Sequence, residues 1–143
     1  METIQQLLDA KRRAPITVGP DETVLRALLR LAEHDIGALL VVESGRLVGI
    51  FSERDYARKV VLSGRTSKDT PVRKIMSDRV FYLTPDRTVE EGLALMTEKH
   101  VRHLPVLDAD GKILGLVSIG DLVKATIAHQ AFIIEQLERY ITG

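Results

Sequence analysis

Pro20-Asp21-Glu22-Thr23-Val24 returns as Pro85-Asp86-Arg87-Thr88-Val89, 65 residues further along the chain. At the same offset Leu28 meets Leu93, Glu33 meets Glu98, Leu39 meets Leu104 and Val41 meets Val106. One residue is then inserted, and Gly45, Gly49, Ser52 and Asp55 meet Gly111, Gly115, Ser118 and Asp121. Chance seldom keeps order, spacing and residue class together, so the chain reads as a tandem duplication.

Each copy follows one plan. A short extended piece (Ile16 to Val18, Phe81 to Leu83) leads to Pro-Asp-x-Thr, which opens a helix over about 21–34 and 86–99. Val24, Leu28 and Leu31 share one helical face, as do Val89, Leu93 and Met96. A hairpin follows, with strands at about 38–43 and 46–51 joined at Ser44-Gly45, and at about 103–108 and 112–117 joined through Ala109-Asp110-Gly111. A second helix starts near Glu53 and near Ile119. The fold class is therefore α/β (α+β), with two β-α-β-β-α repeats packed through their sheets and a long C-terminal helix. The expected boundaries are an N-terminal helix in 1–13, repeat 1 in 14–62, a polar linker and lead-in turn in 63–76, repeat 2 in 77–128, and a helical extension in 129–143.

Composition narrows the function. Twenty Lys and Arg balance twenty Asp and Glu, which argues against a partner as anionic as DNA or RNA. There is no Trp, and there are only three Tyr and three Phe, too few for a base-stacking platform. With no Cys there is no disulfide, thiol nucleophile or thiolate metal site. No apolar run reaches the roughly 18 residues of a membrane helix, and the polar start points to the cytoplasm. His100 and His103 are three apart, but no carboxylate or thiol cluster completes a metal set. Gly115 and Gly120 have P-loop spacing, yet Asp121 and Leu122 stand where Lys and Ser/Thr are required. No catalytic site is expected, and the chain reads as a non-enzyme.

Two motifs carry chemistry. Gly49-Ile50-Phe51-Ser52-Glu53-Arg54-Asp55 and Gly115-Leu116-Val117-Ser118-Ile119-Gly120-Asp121 each put Ser three residues before an acid at a helix start. This is a capping box. It is also a nucleotide site in outline, because one carboxylate can accept both hydroxyls of a ribose diol while the helix start offers N–H groups to phosphate. Both readings can hold for the same serine. Arg102 and His103 stand at the mouth of a strand, where a cationic pair can hold a phosphate; their counterparts in the first copy are Gly37 and Ala38. The bland reading is a surface Arg and a packed His.

These motifs, with Arg102-His103-Leu104-Pro105-Val106 and the lead-in Val72-Arg73-Lys74-Ile75-Met76, resemble a pair of CBS domains over roughly residues 10–130. The resemblance is to small stand-alone bacterial CBS-pair proteins. It implies a sensor that binds adenine nucleotides in clefts between repeats, associates as a dimer and signals to an effector protein in trans. Carried over by residue, it implies one site of Ser52, Asp55, Thr84, Arg102, His103 and Pro105, flanked by Arg54. It implies a second of Ser118, Gly120 and Asp121 with Thr17, Val18, Ile36, Gly37 and Ala38. AMP leads as the regulatory ligand, with ATP, ADP, NAD and S-adenosylmethionine as alternatives. The rival readings are a structural dimerisation module with vestigial clefts and a nucleotide-handling enzyme.

A homodimer is also expected from unpartnered apolar surface. Tyr56, Val60, Leu122, Val123 and Ile127 are expected on outward faces of the second helices. Beyond them run Phe132, Ile133, Ile134, Leu137, Tyr140 and Ile141, with several at near-heptad spacing. The alternative is that this extension folds back over Ile4, Leu7 and Leu8.

Overall fold

The computed structural model describes residues 2–142. In chain order it contains α1 (Ile4–Lys11), β1 (Thr17–Val18), α2 (Val24–His34), β2 (Ala38–Glu43), β3 (Arg46–Ser52), α3 (Glu53–Tyr56), α4 (Val89–Lys99), β4 (His103–Leu107), β5 (Ile113–Ser118) and α5 (Ile119–Thr142). A π-helical turn, Ala57–Val61, continues α3, and a 3-10 turn spans Val72–Lys74. The chain divides into two compact units. One comprises Met1–Arg13, Tyr82–Asp110 and Leu114–Gly143; the other comprises Ala14–Phe81 and Gly111–Ile113. Each repeat is thus grouped with the segment that precedes the other repeat in sequence.

In the unit holding repeat 1, the sheet order is β1-β2-β3. β1 runs parallel to β2 (Thr17 opposite Leu40), and β2 pairs antiparallel with β3 from Ala38 opposite Ser52 to Glu43 opposite Arg46. The hairpin turns through Ser44 and Gly45, both with positive φ (52° and 76°), the twist that a two-residue turn requires. One core joins sheet and helices: Val18, Val24, Ala27, Leu31, Leu39, Val41, Phe51, Val60, Val72 and Ile75, with Tyr56 packed at its edge. Val60 is therefore a core residue and Tyr56 is partly buried against the same core, not an outward face as the sequence suggested. The second helix of this repeat is also short, one α turn and one π turn. It closes where Gly64 takes φ 75° and Arg65 N–H returns to the Val60 carbonyl at 3.0 Å.

In the unit holding repeat 2, β4 and β5 form a two-stranded sheet, and Leu83 bridges to Val106 in parallel. Ile4, Leu83, Val89, Met96, Leu104, Val106, Val117 and Leu122 are buried. Leu122, Leu83 and Ile4 all converge on Gly92 of α4. This packing places Leu122 in the core, again not on the outward face expected of it.

Helix starts follow their caps. Thr23 accepts from Arg26 N–H at 3.2 Å and Thr88 from Glu91 N–H at 3.1 Å, so α2 and α4 begin three residues after the predicted positions. Thr88 and Glu91 complete a capping box, as do Thr3 and Gln6 at α1.

Two glycines exist for close approach. A Cβ on Gly49 would lie 2.7 Å from Met76 Sδ and 3.0 Å from the Ser77 carbonyl oxygen; on Gly115 it would lie 2.7 Å from Leu8 Cδ2. Gly49→Val should therefore lower the stability by about 1–3 kcal/mol in urea unfolding. Gly115→Val should cost less, because Leu8 can rotate away whereas a backbone oxygen cannot. An unchanged midpoint for Gly49→Val would refute this packing.

Candidate functional site

Each repeat ends its hairpin in a serine that caps the following helix. In repeat 1, Asp55 N–H donates to Ser52 Oγ at 3.2 Å, and Ser52 N–H donates back to Asp55 Oδ2 at 3.0 Å. In repeat 2, Asp121 N–H donates to Ser118 Oγ at 3.1 Å, and Ser118 N–H donates to Asp121 Oδ2 at 2.9 Å. The capping reading of Ser-x-x-Asp therefore describes both copies. The strand before each hairpin supports the same corner: Glu53 N–H donates to the Gly37 carbonyl at 3.1 Å and Ile119 N–H to the Arg102 carbonyl at 2.9 Å.

The surroundings of the two carboxylates differ. Asp55 is 8% exposed. Its Oδ1 receives the Ser77 hydroxyl at 3.3 Å and the Lys59 ammonium at 3.1 Å. Ser77 N–H also donates to the Ile50 carbonyl at 2.9 Å. In repeat 2 the corresponding place is taken by Lys11, from the last turn of α1. Its Nζ donates to the Leu116 carbonyl at 2.9 Å and to Asp121 Oδ2 at 2.8 Å. Burial pushes the Asp121 carboxyl up, but the Lys11 ammonium and the Ser118 bonds outweigh it and hold it below the ordinary Asp value. His103 sits within electrostatic reach of this pair. Burial pushes its imidazole down, Asp121 opposes that, and Lys11 and Arg102 add to it, leaving it below the ordinary His value.

The residues named from the sequence fall into two local sets. Thr17, Val18, Ile36, Gly37 and Ala38 belong to the same unit as Ser52, Arg54 and Asp55. Ala38 lies directly opposite Ser52, and Arg30 Nη1 donates to the Thr17 carbonyl at 3.0 Å. Thr84, Arg102, His103 and Pro105 belong to the unit of Ser118, Gly120 and Asp121. The Pro105 carbonyl accepts from Leu83 N–H at 3.0 Å, while the Thr84 hydroxyl bonds Asp86 and holds its carboxyl below the ordinary value. Lys11, Ser77 and Lys59 were missed. Position gave a partial signal: α1 precedes repeat 1 as Val72–Met76 precedes repeat 2. No spacing rule links Lys11 to an acid 110 residues away. Among the described residues no group of three or more His, Asp or Glu stands close enough to hold a metal, and no helix is long and apolar enough to cross a membrane.

Comparison with known proteins agrees with this architecture. The CBS domain family matches residues 8–62 and 72–128. The CBS domain-containing protein CBSX3, mitochondrial, of Arabidopsis thaliana is 41% identical over 128 residues, which is 86% of this chain and 62% of that protein. The chain thus spans less than two thirds of that relative. A solved protein with CBS domains from Burkholderia ambifaria MC40-6 is 49% identical with a TM-score of 0.83, covering 90% of this chain and 96% of that one. Two more distant chains share the fold: a CBS domain protein of Pyrobaculum aerophilum complexed with AMP (23% identical, TM-score 0.74, 83% and 88% covered) and the CBS domain pair of protein MJ0100 in complex with 5′-methylthioadenosine and S-adenosyl-L-methionine (23%, 0.80, 90% and 98%). With two matched domains spanning most of its length, the chain belongs to the CBS-domain family as a tandem pair.

Proposed function

We propose that this CBS pair is a regulatory module that binds an adenosine ligand, AMP foremost, and passes its occupancy to a partner protein in trans. The observation that carries the reading is the paired arrangement of Asp55 and Asp121, each held at a helix start by its own serine and backbone, where a carboxylate can accept a ribose diol. ADP, ATP, NAD and S-adenosylmethionine are the alternative ligands. The phosphate end falls to Arg102 and His103, of which His103 sits within electrostatic reach of Asp121. Thr17, Val18, Ile36, Gly37, Ala38, Arg54, Thr84, Pro105 and Gly120 are proposed as further contacts. The module acts as a cytoplasmic homodimer paired through the exposed half of α5.

A second reading, a structural dimerisation module, is favoured by one observation: the Asp55 oxygens are already engaged by Ser52, Ser77 and Lys59. Thermal unfolding with a nucleotide panel separates the two. A ligand that binds only the folded chain at 100 times its Kd stabilises it by about 2.7 kcal/mol, which raises Tm by several degrees. AMP is expected to give the largest rise. No shift with any member of the panel supports the structural reading, and product formation on the panel would instead reveal an enzyme.

A further inference from the structure

We propose that Lys11 is a built-in competitor for the Asp121 carboxylate, and that it makes this half of the chain select phosphorylated adenosine ligands over adenosine itself; the inference rests on Asp121 being a ribose acceptor. The ammonium arrives from a fixed base. Ile4 and Leu7 of α1 are buried, Leu8 packs on Gly115, and the Ile4 N–H donates to the Arg87 carbonyl at 2.8 Å. The side chain therefore can change partners without moving its helix. Lys11 Nζ spends one donor on the Leu116 carbonyl and one on Asp121 Oδ2, and the ion pair is about three-quarters shielded on both sides. A neutral diol that takes the carboxylate strands this ammonium with one carbonyl in a poorly solvated place, which is costly. A ligand that also brings a phosphate exchanges one anion for another: the diol takes Asp121 while the ammonium turns to the phosphate, alongside Arg102 and His103.

The fold does not demand a lysine at this place. In repeat 1 the same two acceptors, the Ile50 carbonyl and the Asp55 carboxylate, are served by the backbone N–H and hydroxyl of Ser77, which carry no charge. The ammonium that Asp55 does meet, Lys59, comes from its own helical segment and is more exposed. The charge at Lys11 is thus an addition to repeat 2, on the side of the chain that also holds Arg102 and His103.

Calorimetric titration of the full chain with AMP and with adenosine tests this, on the wild type, Lys11→Met, Lys11→Gln and Lys11→Arg. Asp121→Asn identifies the heat that belongs to this half. The expected result is that Lys11→Met tightens adenosine binding about tenfold and narrows the preference for AMP, whereas Lys11→Arg keeps it. Lys11→Gln can still donate to the Leu116 carbonyl and serves if the Met variant melts early. Unchanged adenosine affinity in a folded uncharged variant, or equal affinity of the wild type for AMP and adenosine, overturns the competitor role while leaving the nucleotide reading intact. If AMP binds the wild type but Asp121→Asn removes none of that heat, or AMP does not bind at all, the ribose assignment itself fails and the competitor role with it.

Discussion

Asp121→Ala is expected to weaken AMP binding at the repeat 2 carboxylate by about 1.5–3 kcal/mol, roughly 10- to 150-fold, in a chain that still folds. The loss comes from removing a charged acceptor for two hydroxyl donors. The fold survives because the Asp121 side chain is 28% exposed, although its removal strands the Lys11 ammonium with the Leu116 carbonyl and so lowers the stability somewhat. Asp55→Ala is a different case. That carboxylate ties together Ser52, Ser77 and Lys59 in a nearly closed site, so its loss should lower stability as well as affinity. Calorimetry beside a urea titration separates the two effects. Full AMP affinity in Asp121→Ala would remove it from the site.

Ile134→Asp is expected to convert a dimer to a monomer without unfolding the chain. α5 has 24 residues and so extends for about 36 Å. Over its second half Ile127, Ile134, Leu137 and Ile141 are 61%, 56%, 56% and 80% exposed, so the extension does not fold back over α1. Ile127, Ile134 and Ile141 repeat every seven residues, and Leu137 lies three after Ile134, the seam of a paired helix. A two-fold axis lets this face cover its own copy. Burial at about 25 cal/mol per Å2 of apolar surface drives the pairing, and an Asp placed in the seam opposes it by desolvation. Light scattering should give twice the 15.9 kDa chain mass for the wild type and the single-chain mass for Ile134→Asp. A monomeric wild type at micromolar concentration would contradict the dimer. Leu122→Asp is unsuitable as a probe, because Leu122 is fully buried against Gly92 and its substitution would test the core.

The duplication made most of the fold legible. Two copies of one pattern fix each other's strands, and β2 falls on Ala38–Glu43 as the continuous apolar run Ala38 to Val42 and the Ser44-Gly45 turn require. Pro20-Asp21 and Pro85-Asp86 read as first-turn signals and put the expected helix starts too early, whereas the hydroxyls of Thr23 and Thr88 do the capping. The inward packing of Val60 and Leu122, and the partial burial of Tyr56, was not legible. A face of apolar residues at helical spacing looks the same whether it meets its own core or a partner, and only the packing on Phe51, Gly92 and their neighbours distinguishes them. In the candidate site, Ser52, Asp55, Ser118 and Asp121 were readable because their chemistry is local to one helix turn. Lys11 and Ser77 were not, since each reaches its carboxylate from a distant stretch of chain.

This CBS pair is expected to hold an adenosine ligand. Native mass spectrometry of the purified chain, before and after adding millimolar AMP, decides the matter, with the released small molecules identified after denaturation. The expected result is a folded chain carrying an adenine nucleotide as purified or taking up AMP stoichiometrically, with uptake reduced in Asp121→Ala. A chain that releases no adenosine compound and takes up none of AMP, ADP, ATP, NAD or S-adenosylmethionine at that concentration would contradict it.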